Sequence, residues 1–202
     1  MAASRFSINF AVKQLAAGAL MAFAVAQASA AVEVNGVKFE DTAKVAGKDL
    51  VLNGAGMRTK VIFKVYAAGL YVGEKKSNVA DILKQDGPRR MTLVMMRDVS
   101  SADFGDAFMK GINDNIDAAE KAKYAGQIAK FGEVFGAIPG VKKGDVLHLD
   151  LIPGLGTQAE LNGKKVGETI ADPGFYNAVL RIWLGDKPVD SSLKPALLGT
   201  AR

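Results

Sequence analysis

An arginine and a tyrosine eight residues apart, Arg58 and Tyr66, are the side chains of this sequence best suited to gripping an anion. The guanidinium offers a planar fork of donors that matches a carboxylate or a phenolate, and a phenol hydroxyl adds one more. Beside an apolar cleft, such a pair would hold an amphipathic acid by its head. On pattern alone the commoner reading of the same two residues is a surface ion pair and a half-buried packing tyrosine. Other chemistry is sparse. His148 is the sole histidine, so no histidine triad or multi-histidine metal site can be assembled. Its strand parity sets it opposite a leucine face, as an exposed or loosely hydrogen-bonded side chain. The absence of cysteine excludes disulfides, thiolate metal sites and a cysteine nucleophile. Asp103 with Asp106, and Asp114 with Asp117, lie three apart on predicted helices and are read as solvent-facing. No phosphate loop, dinucleotide fingerprint or metalloprotease helix occurs, and neither cofactor nor metal is expected.

The elements that must position Arg58 and Tyr66 begin with Gly54-Ala55-Gly56, read as a turn, and a long strand from Arg58 to Val72. Alternation places Arg58, Lys60, Ile62, Lys64 and Tyr66 on one face and Thr59, Val61, Phe63 and Val65 on the other, the expected core face. Ala67-Ala68-Gly69 signals a bulge or a close approach by another group. Before this stretch, Val32–Phe39 reads as a hairpin about Asn35-Gly36 and Asp49–Asn53 as a strand. After it come a short helix over Val79–Gln85 and a strand over Arg90–Arg97 that is apolar on both faces and therefore central. Two helical patterns follow, one from Phe104 to Ile112 and one from Ala118 to Ala137. A strand over VLHLDLI and a hairpin about Asn162-Gly163 come next. Then Asp172, Pro173 and Gly185 delimit a largely buried helix, and a short one runs through Leu198. This order predicts α+β with a mainly antiparallel sheet.

Residues 1–30 have the form of a secretory signal peptide. Arg5 and Lys13 precede an apolar run, and Ala28-Ser29-Ala30 is a small-x-small cleavage site before Ala31. The expected mature chain is one domain over residues 31–202, placed in the periplasm with no stable membrane anchor. The full chain carries a net charge of +5, and removing two basic and no acidic leader residues leaves +3. That balance is too mild for nucleic acid. The basic pairs, Arg89-Arg90 among them, are read as solvated turn charges.

Two blocks carry a family resemblance. GAGMR followed by KVYAAGLYVG resembles the Gly-x-Gly-x-Arg and Lys-x-[Thr/Tyr]-x-x-Gly-[Val/Leu]-Tyr elements of the chalcone isomerase-like superfamily. FYNAVLRIWLGDKPVDSSLKPALLG resembles the helix that closes its bacterial branch. The resemblance implies an open-faced β-sandwich, a large antiparallel sheet covered by a layer of helices. In the plant enzymes of that family, the arginine matching Arg58 holds an oxyanion during intramolecular Michaelis addition of a phenolate to an enone. In the fatty-acid-binding branch, an arginine and a tyrosine grip a carboxylate. Tyr66 stands where the catalytic branch has threonine, like the fatty-acid-binding branch. The catalytic tyrosine on the following helix is replaced by Phe104, and Asn113 is two residues out of step with the family's asparagine.

Three readings follow. The first is a binding protein for a small amphipathic carboxylate such as a fatty acid, held by Arg58 and Tyr66 in a cleft with Met95 and Phe108. The second is an intramolecular lyase acting on a phenolic enone through Arg58. The third is a partner-binding module without a small ligand.

Overall fold

The computed structural model describes residues 31–201, so the leader read over residues 1–30 lies outside it. Strands β1 (Val32–Val34) and β2 (Val37–Phe39) form a small hairpin of their own. Seven more strands make one antiparallel sheet whose spatial order is the chain order. They are β3 (Thr42–Val45), β4 (Lys48–Lys60), β5 (Phe63–Val72), β6 (Arg89–Met95), β7 (Val146–Ile152), β8 (Gly156–Leu161) and β9 (Lys164–Ile170). Helix α1 (Val79–Lys84) joins β5 to β6. Helices α2 (Ser101–Asn115), α3 (Ala118–Lys123) and α4 (Ala125–Gly136) fill the β6–β7 crossover, and α5 (Pro173–Leu184) and α6 (Leu193–Leu197) end the chain. This is the expected α+β architecture, with β6 at the centre of the sheet.

The helices pack on one face of the sheet over a core rich in aromatic residues. Phe104 and Phe108 of α2, Phe131 and Phe135 of α4, and Phe175 and Trp183 of α5 meet mostly edge to face, the favoured geometry of ring quadrupoles. Gly111 lets α2 approach α5, since a Cβ there would fall 2.8 Å from Ile182. The other face is covered near β3–β5 by the β1–β2 hairpin, whose Phe39 lies on Gly69. The close approach expected at Ala67-Ala68-Gly69 is therefore this ring, and β5 runs through these residues without a bulge.

Three corrections concern the central stretch. Gly54-Ala55-Gly56 is not a turn but the middle of β4. The glycines make room for α6, because a Cβ on Gly54 would sit 2.1 Å from the Ala196 carbonyl oxygen and one on Gly56 2.6 Å from the Ala196 methyl. The strand read from Arg58 to Val72 is broken by a two-residue turn, Val61-Ile62, with Val61 at φ 59°. Val61 and Phe63 accordingly leave the core face assigned to them and are exposed. The bulges fall elsewhere: Asn53 is extra on β4 and Val65 extra on β5, where the register shifts. Each bulge changes the facing parity. Hence Leu50 and Leu52 point to the β1–β2 side while Gly54 points to α6, and Val65 and Tyr66 both enter the helix-side core.

Two further expectations change. The helix read over Ala118–Ala137 breaks at Tyr124, where ψ is 13°, after a capping box of Asp117 and Glu120 closes the start of α3. Arg89 and Arg90 are not turn charges but open β6. Arg89 is 3% exposed and donates to the Ile82 carbonyl at 2.9 Å, capping α1. Arg90 holds Asp150 with two hydrogen bonds of 2.7 and 2.6 Å across the open face. On that face His148 Nδ1 lies 3.0 Å from the Thr92 hydroxyl. Burial, then the Arg90 cation, lower the His148 pKa to about 4.

Gly54→Ala would force α6 off β4 against two backbone carbonyls. It is expected to destabilise by at least the roughly 1–3 kcal/mol typical of overpacking, measured as a lower urea midpoint. His148 binds its proton less readily folded than unfolded. Stability is therefore full above pH 6.5 and falls as pH drops from 6.5 toward about 4. Comparing wild type with His148→Asn by denaturant titration across that window should show the variant losing less stability.

Candidate functional site

Arg58 is the last residue of the Gly54-x-Gly56-x-Arg58 series on the helix-facing side of β4. Where the two glycines are covered by α6, Arg58 emerges beyond its edge. Its register partner is Tyr66 on β5, so the two stand across a hairpin and not along one strand. The Arg58 guanidinium carbon lies 5.3 Å from the centroid of the Tyr66 ring, within cation–π range. Tyr66 is 2% exposed, and its hydroxyl accepts the indole N–H of Trp183 at 2.9 Å. Burial raises the Tyr66 pKa, opposed by the nearby Arg58 cation and the Trp183 hydrogen bond, so the phenol stays neutral. Among the described residues Arg58 makes no ion pair, and its buried Nε has no hydrogen-bond partner.

A pocket of ≈ 590 Å³ opens beside Arg58. Its apolar wall is Val61, Phe63, Val65, Phe104 and Ala107, and its polar rim includes Lys60, Arg97, Asp98, Asp103 and Lys110. Several rim charges are already engaged. Asp98 accepts from Lys142 and from the Lys143 backbone, Asp103 from Ser100, and Lys110 pairs with Asp114. Arg97 lies over the Phe63 ring at 4.9 Å. The uncommitted charge around the opening is thus mainly cationic: Arg58, Lys60 and Arg97 against Asp106.

The residues expected to line a cleft are distributed in two layers. Arg58 is at the pocket wall. Tyr66, Met95 and Phe108 lie behind it, each no more than 3% exposed, with Phe108 contacting Phe104 at a centroid distance of 4.9 Å. The space between sheet and α2 is filled by these side chains. Val61, Phe63 and Arg97 were not singled out as site residues, whereas Phe104, read as standing in place of the family's catalytic tyrosine, does line the pocket. The exposed Val-Ile-Phe run beside an arginine was the available signal, obscured by reading one unbroken strand. His148 lies on the opposite face of the sheet from Arg58, away from the pocket. Among the described residues no group of three or more His, Cys, Asp or Glu side chains is placed to hold a metal ion.

Two other depressions differ in character. One, of ≈ 530 Å³, runs between β4 and the end of α6 and is lined by Asp41, Asn53, Lys75, Lys76 and Ser77. The other, of ≈ 440 Å³, lies where Arg181 pairs with Glu120. Neither joins an unpartnered guanidinium to an apolar wall.

Comparison with known proteins agrees with this geometry at the level of fold. No curated protein sequence matches the chain. Among solved structures, a fatty-acid binding protein from Arabidopsis thaliana superposes with a TM-score of 0.66 at 16% identity, over 82% of this chain and 93% of that one. A family described as chalcone isomerase-like matches residues 31–199. That span takes in both the Gly-x-Gly-x-Arg strand and the helices that close over it, and the chain belongs to the chalcone isomerase-like family.

Proposed function

We propose that this protein binds a small amphipathic carboxylate, of the fatty-acid class, with its head group on Arg58 and its hydrocarbon along Val65 and Phe104. One observation carries the reading: a guanidinium without an ion-pair partner stands on the wall of a ≈ 590 Å³ pocket whose other side is apolar. That volume is within the range of small-molecule sites. Tyr66 acts from behind, its ring holding the guanidinium in place. Met95 and Phe108 form the layer into which a longer chain would press. The similar Arabidopsis thaliana structure is of a fatty-acid binding protein, which supports the ligand class. The leader read over residues 1–30 supports action in the periplasm after export.

The isomerase reading has less support. Oxyanion chemistry on an enone needs further positioned donors, and the pocket wall carries Phe104 where a phenol would serve. Its one hydroxyl side chain, Ser100, is occupied in capping α2 through Asp103.

Arg58→Ala should weaken binding of a fluorescent long-chain fatty acid by about 10- to 100-fold, the worth of a hydrogen bond to a charged group. Thermal unfolding should change by no more than roughly 1–2 kcal/mol, the loss of one cation–π contact. Arg58→Lys should fall between the two. Unchanged affinity in Arg58→Ala would remove the proposal.

A further inference from the structure

The β4–β5 turn is built unlike its counterparts. The two-residue turns at Asn35-Gly36, Ala46-Gly47 and Asn162-Gly163 all end in glycine, with positive φ at both residues. This is the pattern hairpin turns favour. The β4–β5 turn instead uses Val61-Ile62, with a β-branched residue at φ 59°, a backbone region such residues rarely adopt. The side chains gain no burial in return. Val61 is 89%, Ile62 80% and Phe63 54% exposed. These are three consecutive large apolar residues at the outermost point of a hairpin. They are framed by exposed cations: Lys60 and Lys64 on the same hairpin, and Arg97 stacked on Phe63. The acids facing this region are Asp98, Asp103 and Asp106 on the far rim of the pocket and Asp190, which accepts the Thr59 backbone N–H at 2.8 Å.

We infer that the Val61-Ile62 tip docks on the surface of an anionic lipid bilayer, its side chains entering the acyl boundary while Lys60, Lys64 and Arg97 meet the head groups. An apolar wedge ringed by cations is the chemistry of such an interface. A second copy of this chain fits less well, since joining two tips would bring their cations together. Val61 and Phe63 also line the Arg58 pocket. Docking therefore turns the pocket mouth toward the lipid phase, where an amphipathic acid could pass without crossing water. This last step rests on the proposed acid-binding function; the docking itself does not.

The test uses protein beginning at Ala31, so that the apolar leader contributes nothing, and vesicles of phosphatidylethanolamine with phosphatidylglycerol. Wild type should co-sediment with these vesicles, and far less with phosphatidylcholine alone or at high salt. Ile62→Asp and Lys64→Glu, neither of which touches the pocket, should each lower the partition coefficient about tenfold or more while leaving the melting temperature and fatty-acid affinity in solution unchanged. Ile62→Trp adds a second readout: Trp183 is 1% exposed, so a blue shift on adding vesicles would come from the tip. Arg58→Ala should still bind vesicles even where it loses the fatty acid, which separates the two proposals. Absence of vesicle binding by wild type, or equal binding by Ile62→Asp, would overturn the inference. So would concentration-dependent dimers that Ile62→Asp abolishes in the absence of any vesicle binding.

Discussion

The hydrogen bond from the Trp183 indole to the Tyr66 hydroxyl ties the rest of the arrangement together. Both groups are almost fully buried, and each would otherwise be an unpaired polar atom in an aromatic core, at a cost of roughly 1–3 kcal/mol. Together they fix α5 to β5 at one register. Tyr66 in turn presents its ring to Arg58, which leaves the guanidinium flat, desolvated on one side and open on the other. The Arg58 site is thus a surface feature whose orientation is set from inside the core.

The two bulges make that orientation possible. An unbulged β4–β5 ladder would send Arg58 and Gly54 to opposite faces from those observed, since one residue of slip inverts every side chain. The extra residue at Asn53 turns Gly54, Gly56 and Arg58 toward the helices, and its amide joins the Leu197 carbonyl at 2.7 Å and the Lys76 N–H at 2.7 Å. The two blocks that carry the family resemblance meet here. The glycines of the first are the floor on which the final helix of the second rests.

Much of this was legible in the amino-acid pattern. The Asn35-Gly36 and Asn162-Gly163 turns, the central position of β6 and the limits of α5 followed from local rules that tertiary contacts reinforce. Arg58 and Tyr66 stood out by residue type, yet their relation across a hairpin did not. Val61-Ile62 has strand composition and no turn residue, so local propensity pointed to a continuous strand. Arg89 was misread for a related reason, because its burial depends on carbonyls of α1 and Asn177 on α5. Whether a charge faces water or a helix end is decided by residues far away in sequence.

The agreement between chain order and strand order across β3–β9 has a consequence for how the molecule comes to be formed. Every sheet pairing joins consecutive strands, and two of the turns within it, Ala46-Gly47 and Asn162-Gly163, are preorganised for closure, so the strand pairs they join can assemble from short-range encounters. The β4–β5 turn lacks that advantage, and the Tyr66–Trp183 bond spans 117 residues. The final geometry of the hairpin that carries Arg58 thus depends on contacts with the last helices, so the Arg58 pocket is a product of the whole chain and not of its own hairpin.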